Sequence, residues 1–330
     1  MTDLQLLDEY NSSHPVTSTP HNAFVKGNYL YVSHYTDGVV VVDISDPFNM
    51  VEVAHYDTSP LVQGSSFSGC WGVYPYLPSG TILASDRQQG LYVLGDASAN
   101  PAVFEVSLKV LLQGAYIGSG AMSTNLLDEG HLPTRHTYDA APYDFSYLNL
   151  IEDLPANMVD WILVEARAGT PVLSGSKATT TVETKLGILL SDGTIVNPYQ
   201  HTPLRFSNLI EGDEYYFCIR HRNHLDVLTA APMVATEASV MTYDLTSAVA
   251  QAWGLAQQIE TESGYAMMHA GEFSQDGVIQ ITDYAVWQNN PAQLDVYEEA
   301  DANLDGVIQV TDYDLWFGNK AKLGTVEIDF

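Results

Sequence analysis

Short apolar runs alternate with turn residues through the first hundred residues of the chain. Gly27, Gly38 and Pro47 each belong to a turn signal between two runs of strand length. The runs predict strands at 22–26, 29–34, 39–43 and 51–56. Four strands in about 40 residues is the length of one propeller blade, and a second, partial copy of the pattern follows at 69–95. We therefore predict an incomplete, blade-like β module over residues 1–99.

A second block of apolar runs, at 100–245, predicts an Ig-like β-sandwich. Two of its runs, 159–165 and 215–220, are strongly apolar, as is typical of sandwich strands with one buried face. The stretch 113–157 is long and irregular and predicts a large loop or insertion, and 246–270 indicates a linker with some helical character. The strand candidates of the block are 108–112, 161–166, 181–190, 204–207 and 215–221.

The last segment, 271–330, contains an internal repeat. DGVIQITDYAVW (276–287) recurs as DGVIQVTDYDLW (305–316), 29 residues later. Each copy supplies positions 5 to 12 of a 12-residue calcium loop, at 272–283 and 301–312, and the start of a following helix. Oxygen ligands alternate around a glycine at position 6 of such a loop. A hard divalent cation takes about six to eight oxygens, and such a loop can supply most of them. The whole chain is therefore predicted to be multidomain and mainly all-β, with a small α-helical calcium module at its end.

The two predicted loops differ in the quality of their ligands. The second loop presents Asp301, Asn303, Asp305, the Val307 carbonyl, Gln309 and Asp312. The first loop presents Glu272, Ser274, Asp276, the Val278 carbonyl, Gln280 and Asp283 at the same positions. Glu272 and Ser274 are weaker ligands than their counterparts, so the second loop fits the template better. We expect Ca²⁺ as the cofactor, with two ions bound; the alternative is that these are acidic turns without metal.

Two parts of the chain resemble families of bacterial surface proteins. VVVVDISDP (39–47), and YPYLPSG followed by ILASD (74–86), resemble LVIVD repeats of the choice-of-anchor B type. The block that ends in RHRNHL (220–225) resembles the β-sandwich that follows such propellers. This family has no enzymatic activity, so the resemblance implies none for this chain. The resemblance implies the C-terminal portion of such a protein. Only about two propeller blades are present where at least four are usual, which leaves sheet edges that must pair.

The tail resembles a dockerin, a pair of loop–helix units in which each loop binds one calcium ion. The resemblance is carried by the duplicated loops, by Asp at position 12, and by a helix that follows each loop without one that precedes it. In cellulosomes dockerins bind cohesins, which implies a cohesin-like partner. In other secreted proteins such tails are calcium-stabilised modules with no known cohesin, and we favour this second role because no catalytic domain needs docking.

The charge balance narrows the choice of partners. The chain has 12 Lys and Arg against 41 Asp and Glu, for a net charge of −29. This charge excludes nucleic acid, disfavours anionic membranes and favours cations. No apolar run is long enough to span a membrane as a helix. The start, MTDLQLLDEY, lacks signal-peptide features, so we expect a mature or internal fragment of a secreted protein, or a cytosolic protein; the tyrosine-rich composition favours an extracellular or cell-surface location.

The sequence contains none of the common catalytic motifs, so we expect no enzyme. A nucleophile elbow, HExxH, a phosphate loop and a dinucleotide fingerprint are all absent from it. The RHRNH segment, with His221 and His224, has no identifiable third ligand for a transition metal, which favours structural hydrogen bonding and ion pairing at a strand end. Cys70 and Cys218 lie in apolar runs and predict buried free thiols.

The last residues alternate as an amphipathic strand, with Val326, Ile328 and Phe330 on one face. Such a strand could complete an open sheet of another subunit, or it could pair within its own chain. We expect a secreted, non-enzymatic structural or adhesive protein, a subunit of a calcium-stabilised assembly or filament that forms homo-oligomers through strand edges. The alternatives are a calcium-dependent docking or carbohydrate-binding module with a cohesin-like or glycan partner, and an extracellular hydrolase with an unfamiliar site.

Overall fold

The computed structural model divides the chain into two compact units, Met1–Ala102 and Val103–Phe330. The predicted terminal strand with Val326, Ile328 and Phe330 lies outside the described residues. The structure describes residues 6–12, 18–60, 66–77, 80–95, 103–145, 151, 154–171, 179–261, 263–290 and 292–324.

The described part of the first unit has two antiparallel sheets, as the spacing of its turns predicts. The first sheet has the order β1-β2-β3-β4, and the second has the order β5-β6-β7. Gly38, between β2 and β3, has φ +82°, and a Cβ there would lie 2.1 Å from the Tyr56 carbonyl oxygen, so only glycine fits this turn. The strands are β1 Asn22–Lys26, β2 Tyr29–Ser33, β3 Val39–Asp43, β4 Val51–Tyr56, β5 Cys70–Tyr74, β6 Ile82–Asp86 and β7 Gly90–Leu94.

One apolar core joins these two sheets. Tyr31, Val39 and Val41 of the first sheet contact the second sheet, because alternate residues of a strand point to the same face. The second sheet contributes Cys70, Val73, Ile82 and Ala84. The two sheets therefore share one apolar core, and no closed propeller is formed by the described residues.

The second unit contains a nine-stranded sheet where a sandwich was predicted. Its main order is β14-β8-β13-β12-β11-β15-β16, while β17 pairs with β15 and β18 runs parallel to β8. A separate hairpin, β9 and β10, lies in the stretch predicted to be a loop. The strands are β8 Phe104–Lys109, β9 Tyr116–Gly118, β10 Ala121–Met122, β11 Met158–Gly169, β12 Thr179–Leu190, β13 Thr194–Val196, β14 Leu204–Phe206, β15 Glu214–His221, β16 His224–Leu228, β17 Met233–Val234 and β18 Met241–Asp244.

The central strand β11 is buried on both faces along most of its length. The irregular stretch before it covers part of the strand: the Trp161 indole N–H donates to the Pro133 carbonyl at 3.0 Å, and the Tyr138 hydroxyl donates to the Trp161 carbonyl at 2.9 Å. One short helix, α1 Asn125–Asp128, also lies in this stretch. The predicted large insertion is thus a cover for the sheet.

Residues 246–270 are mostly non-helical, contrary to the expected helical character. They contain a single 3₁₀ turn, Val249–Gln251, and the hairpin of β19 Gln258–Glu260 with β20 Ala266–Met268. Met268 is fully buried and forms an isolated bridge with Leu112. This stretch is therefore packed within the second unit.

The tail adds two helices, α2 Ile281–Asn289 and α3 Val310–Asn319, one after each predicted calcium loop. No helix of the described chain is long and apolar enough to cross a membrane. Cys70 and Cys218 are free and fully buried, as predicted, and burial raises the pKa of the Cys70 thiol to about 12.

Candidate calcium site

The two predicted loops adopt the same backbone conformation. Position 4 is left-handed in both, with φ +59° at Gln275 and +58° at Leu304. Position 6 is left-handed at Gly277 and Gly306, with φ +82° and +78°. A Cβ on Gly306 would lie 2.5 Å from the His131 ring, so glycine is required there both by the turn and by its neighbour. The sequence repeat is therefore a structural repeat.

Hydrogen bonds link the candidate ligand residues of the second loop. Asp301 accepts from the N–H groups of Asp305 and Gly306, at 3.1 and 2.9 Å. Asp312 accepts from the N–H groups of Asn303 and Gln309, at 3.1 and 2.8 Å. The Asp305 carboxylate in turn accepts from the side-chain amides of Asn303 and Gln309, at 2.9 and 3.2 Å. Positions 1, 3, 5, 9 and 12 are thus linked in one network.

The first loop repeats this network with different residues. Glu272 accepts from the N–H group of Asp276 at 2.9 Å. Asp283 accepts from the N–H groups of Ser274 and Gln280, at 2.8 and 2.7 Å. The side-chain amide of Gln280 donates to Asp276 at 3.0 Å. Glu272 and Ser274, the weaker candidate ligands by type, therefore take the places in this network that Asp301 and Asn303 take in the second loop.

Burial raises the pKa values of the acids at positions 1 and 12. The pKa rises to about 7 at Asp301 and to about 6 at Asp312, and neighbouring carboxylates add to the effect in both cases. In the first loop it rises to about 9 at Glu272, and it is also raised at Asp283. Buried, clustered carboxylates are costly to ionise without a counter-charge, and a bound cation favours their ionised form.

The chemistry of the donors favours a hard cation. Among the described residues, no three His, Cys, Asp or Glu side chains gather closely enough to hold a metal by themselves. By the loop template, a cation here would also take amide, hydroxyl and main-chain oxygens. An oxygen-only set without thiolate or imidazole is the kind that calcium and magnesium use, and it fits the loop template.

The two halves of the tail exchange equivalent contacts. The Trp287 indole N–H of α2 donates to the Gln309 carbonyl of the second loop at 3.0 Å. The Trp316 indole N–H of α3 donates to the Gln280 carbonyl of the first loop at 2.9 Å. The exchange extends to the backbone, where Ile279 N–H donates to the Lys322 carbonyl and Ile308 N–H to the Gln293 carbonyl, at 3.0 and 2.9 Å. Each loop is thus supported by the other half.

The turn between β15 and β16 anchors the tail on the sheet. Arg222, 1% exposed, donates from Nε to Asp160 of β11 at 3.0 Å and from Nη1 to the Glu298 carbonyl. Tyr297 of the tail donates its hydroxyl to Asp160 at 2.6 Å, and its ring lies 4.0 Å from the Arg222 guanidinium. Burial raises the pKa of Asp160, but Arg222, followed by the other partners of the carboxylate, lowers it to about 2.

The same turn contacts position 1 of both loops. The Asn223 side-chain amide donates to the Asp301 carbonyl at 2.6 Å, and the Glu272 N–H donates to the Asn223 carbonyl at 3.3 Å. Leu225 of β16 lies in the apolar core of the tail. The RHRNH segment is therefore structural, as predicted, but its role as the anchor of both loops was missed. The sequence offered one indication of this role: two arginines, Arg220 and Arg222, lie close together in a chain rich in carboxylates.

Comparison with known proteins supports the repeat in the first unit. The family model described as LVIVD repeat matches residues 21–58, which include β1–β4, so the prediction of an LVIVD repeat is confirmed there. None of the curated proteins matches the chain.

Two solved structures to which the chain is similar are type II Cohesin-X-Dockerin complexes of Acetivibrio cellulolyticus. The C-terminal interface mutant is 16% identical over 67% of this chain and 97% of that chain, with a TM-score of 0.34. The N-terminal interface mutant is 17% identical over 49% of this chain and 82% of that chain, with a TM-score of 0.29.

Proposed function

We propose that the protein is a non-enzymatic structural or adhesive subunit of an extracellular assembly, with a dockerin-type tail ordered by two calcium ions. The observation that carries the proposal is the pair of loops with the same backbone and hydrogen bonds, each rich in oxygen donors. These loops contact the sheet through the Arg222–Asn223 turn, so order in the tail stabilises its attachment to the sheet.

In this proposal, two calcium ions order the tail, one in each loop. The first ion is held by Glu272, Ser274, Asp276, Gln280, Asp283 and the Val278 carbonyl. The second is held by Asp301, Asn303, Asp305, Gln309, Asp312 and the Val307 carbonyl. Bound calcium supplies the positive charge that lets these carboxylates ionise together at neutral pH. In a chain of net charge −29, this neutralisation also lowers the repulsion between subunits.

Calcium titration by calorimetry tests the cofactor. We expect two ions per chain, and we expect Asp312→Ala to weaken binding to the second loop by about tenfold or more, because it removes a charged ligand. Asp314→Ala, an exposed acid on α3, is the matched control and should bind like the wild type. Absence of calcium binding to the wild type would refute the cofactor.

Light scattering behind a sizing column tests the assembly. In calcium we expect species of several chains, and in chelator these species should fall in mass. A protein of unchanged mass in both buffers would refute a calcium-stabilised assembly. The control is the Asp312→Ala and Asp283→Ala double variant in calcium, which should behave like the wild type in chelator.

A second candidate function is calcium-dependent docking to a cohesin-like protein. It is favoured by Ile281 and Val310, which occupy position 10 of the two loops and are 69% and 63% exposed. Apolar side chains that are exposed at both equivalent positions are available for contact with a partner. We expect capture of a cohesin module in calcium, and its loss in the Ile281→Ser and Val310→Ser double variant. Leu255→Ser, at an 84% exposed position, is the control.

A further inference from the structure

The second sheet of the first unit is apolar on both faces. Its inner face, with Cys70, Val73, Ile82 and Ala84, packs against the first sheet. The intervening residues point to the opposite, outer face. Strand pairing places them side by side: Gly72 lies opposite Ser85, Tyr74 opposite Leu83, Leu83 opposite Val93, and Ser85 opposite Leu91.

This outer face is open in the described structure. Leu91 and Val93 are each 67% exposed, and Tyr74 is 48% exposed. A sheet that is apolar on both faces is typical of an inner layer, which needs a second layer about 10 Å away. The first sheet supplies that layer on the inner side only. Among the described strands, β7 also pairs with β6 alone, so the sheet is open at this edge too.

The charge pattern indicates what can cover the face. None of its six positions carries a charge, although the chain has 41 acidic and 12 basic residues. In so acidic a chain, contact between two copies brings carboxylates together over most surfaces. The outer face avoids this repulsion, and the core of a protein interface is characteristically depleted of charge.

We propose that a second copy of this chain covers the outer face of β5–β7, with the same face of the two copies packed together about a two-fold axis. This inference rests on the proposed function, since it names the surface through which subunits of the assembly first pair. A two-fold contact places equivalent residues near one another, so each apolar side chain meets an apolar surface. The sheet-on-sheet packing seen on the inner face then recurs on the outer one.

Sedimentation velocity over a range of protein concentrations, in chelator, tests the pairing. The face lies far along the chain from the calcium loops, so we expect a reversible dimer of twice the 36.2 kDa chain mass without calcium. Leu91→Glu places a carboxylate from each copy in the contact, and we expect it to raise the dimer dissociation constant by about tenfold or more. Because Leu91 is 67% exposed, the variant should keep its fold, which circular dichroism checks.

Leu255→Glu is the matched control, with the same change at an 84% exposed leucine of the second unit, and it should dimerise like the wild type. A wild type that stays monomeric in chelator, or a Leu91→Glu variant that dimerises normally, overturns the inference. Calcium-dependent growth that survives Leu91→Glu overturns the inference and leaves the proposed function standing. A Leu91-dependent dimer that does not grow in calcium supports the inference and refutes the proposed calcium-stabilised assembly.

Discussion

At the scale of single residues, Arg222 is the charge on which the contact between sheet and tail depends most. Its guanidinium is buried and joins Asp160 of β11 to the main chain of the tail at Glu298. Removing one member of a buried ion pair leaves the other charge desolvated and uncompensated. Substituting Arg222 is therefore expected to lower the free energy of unfolding by more than the Arg222–Asp160 ion pair contributes in total.

We expect Arg222→Met to lower the free energy of unfolding of the second unit by about 3 to 5 kcal/mol. Urea denaturation monitored by tryptophan fluorescence measures this change. Arg135→Met is the matched control, because Arg135 and Asp139 form a 2.7 Å pair in which both side chains are about 40% exposed. Such a pair contributes about 0 to 1 kcal/mol. Equal effects of the two substitutions would contradict a special role for the buried arginine.

The low pKa of the Asp160 carboxyl predicts that the folded chain loses stability in acid. Its pKa is about 2 in the folded chain, against about 3.9 in an unfolded one. The unfolded chain therefore takes up the proton first as the pH falls. The contribution of this group, on the order of 2 to 3 kcal/mol, is complete above about pH 4 and is lost as the pH falls from there toward about 2.

We expect the difference in unfolding free energy between the wild type and Asp160→Asn to shrink over that same pH range. Denaturant titrations at a series of pH values measure it. Asp139→Asn, in the exposed pair, is the control and should show a small difference. A difference for Asp160→Asn that is the same at about pH 5 and about pH 2 would show that this carboxyl does not cause the acid dependence.

At the scale of elements, the two helices of the tail stabilise each other's loops. Trp316 of α3 bonds a carbonyl of the first loop, and Trp287 of α2 bonds a carbonyl of the second. Both carbonyls belong to position 9, directly before a helix. Because the contact crosses between the halves, the loss of one indole N–H is felt in the loop of the other half.

We expect Trp316→Phe to weaken calcium binding mainly at the first loop, and Trp287→Phe mainly at the second. Each change removes one hydrogen bond while retaining an aromatic ring, with a cost of about 1 kcal/mol, or about fivefold in affinity. Calorimetry on a background of Asp283→Ala or Asp312→Ala isolates one loop at a time. Trp253→Phe, outside the tail, is the control. Weakening of the loop adjacent in sequence would contradict the exchange.

Local sequence patterns located most strands but not all of their boundaries. The strand Val39–Asp43 was predicted correctly because Gly38 and Asp46-Pro47 limit it on both sides. β8 was placed at 108–112, on a continuous apolar run, whereas it spans Phe104–Lys109. The strand is marked by strict alternation, since Phe104, Val106 and Leu108 are fully buried and the residues between them are not.

Tertiary contacts explain what the local pattern could not predict. The helical character expected of 246–270 is overridden by buried amides, as Gln258 donates to the Leu245 carbonyl at 3.0 Å and Gln257 to the Leu323 carbonyl at 2.9 Å. In the candidate site, the two loops and the helix after each were predictable because the sequence repeats, and their role as calcium ligands stays a prediction. The anchor was not, because Arg222 and Asp160 are 62 residues apart in the sequence.

At the scale of the whole molecule, sheet and tail share one compact unit while the LVIVD-repeat region has its own. Leu225 of β16 lies in one apolar cluster with Phe273, Ile279 and Trp316 of the tail. Gly114, in the stretch that covers the sheet, lies so close to the second loop that a Cβ there would be 1.8 Å from the Ala302 carbonyl oxygen. Calcium bound in the loops should therefore stabilise the sheet as well as the tail.

We expect calcium to raise one of two thermal unfolding transitions, that of the second unit, and to leave the other unchanged. At about 100 times the dissociation constant, each site adds about 2.7 kcal/mol. Calorimetry with and without chelator measures the shift in the unfolding temperature. Hydrogen exchange shows which strands are stabilised: β15 and β16 should gain protection along with the loops. The strands β1–β4 of the first unit serve as an internal control. The Asp283→Ala and Asp312→Ala double variant should show no shift. Protection confined to residues 271–324 would mean that the Arg222 turn joins sheet and tail without coupling their stability.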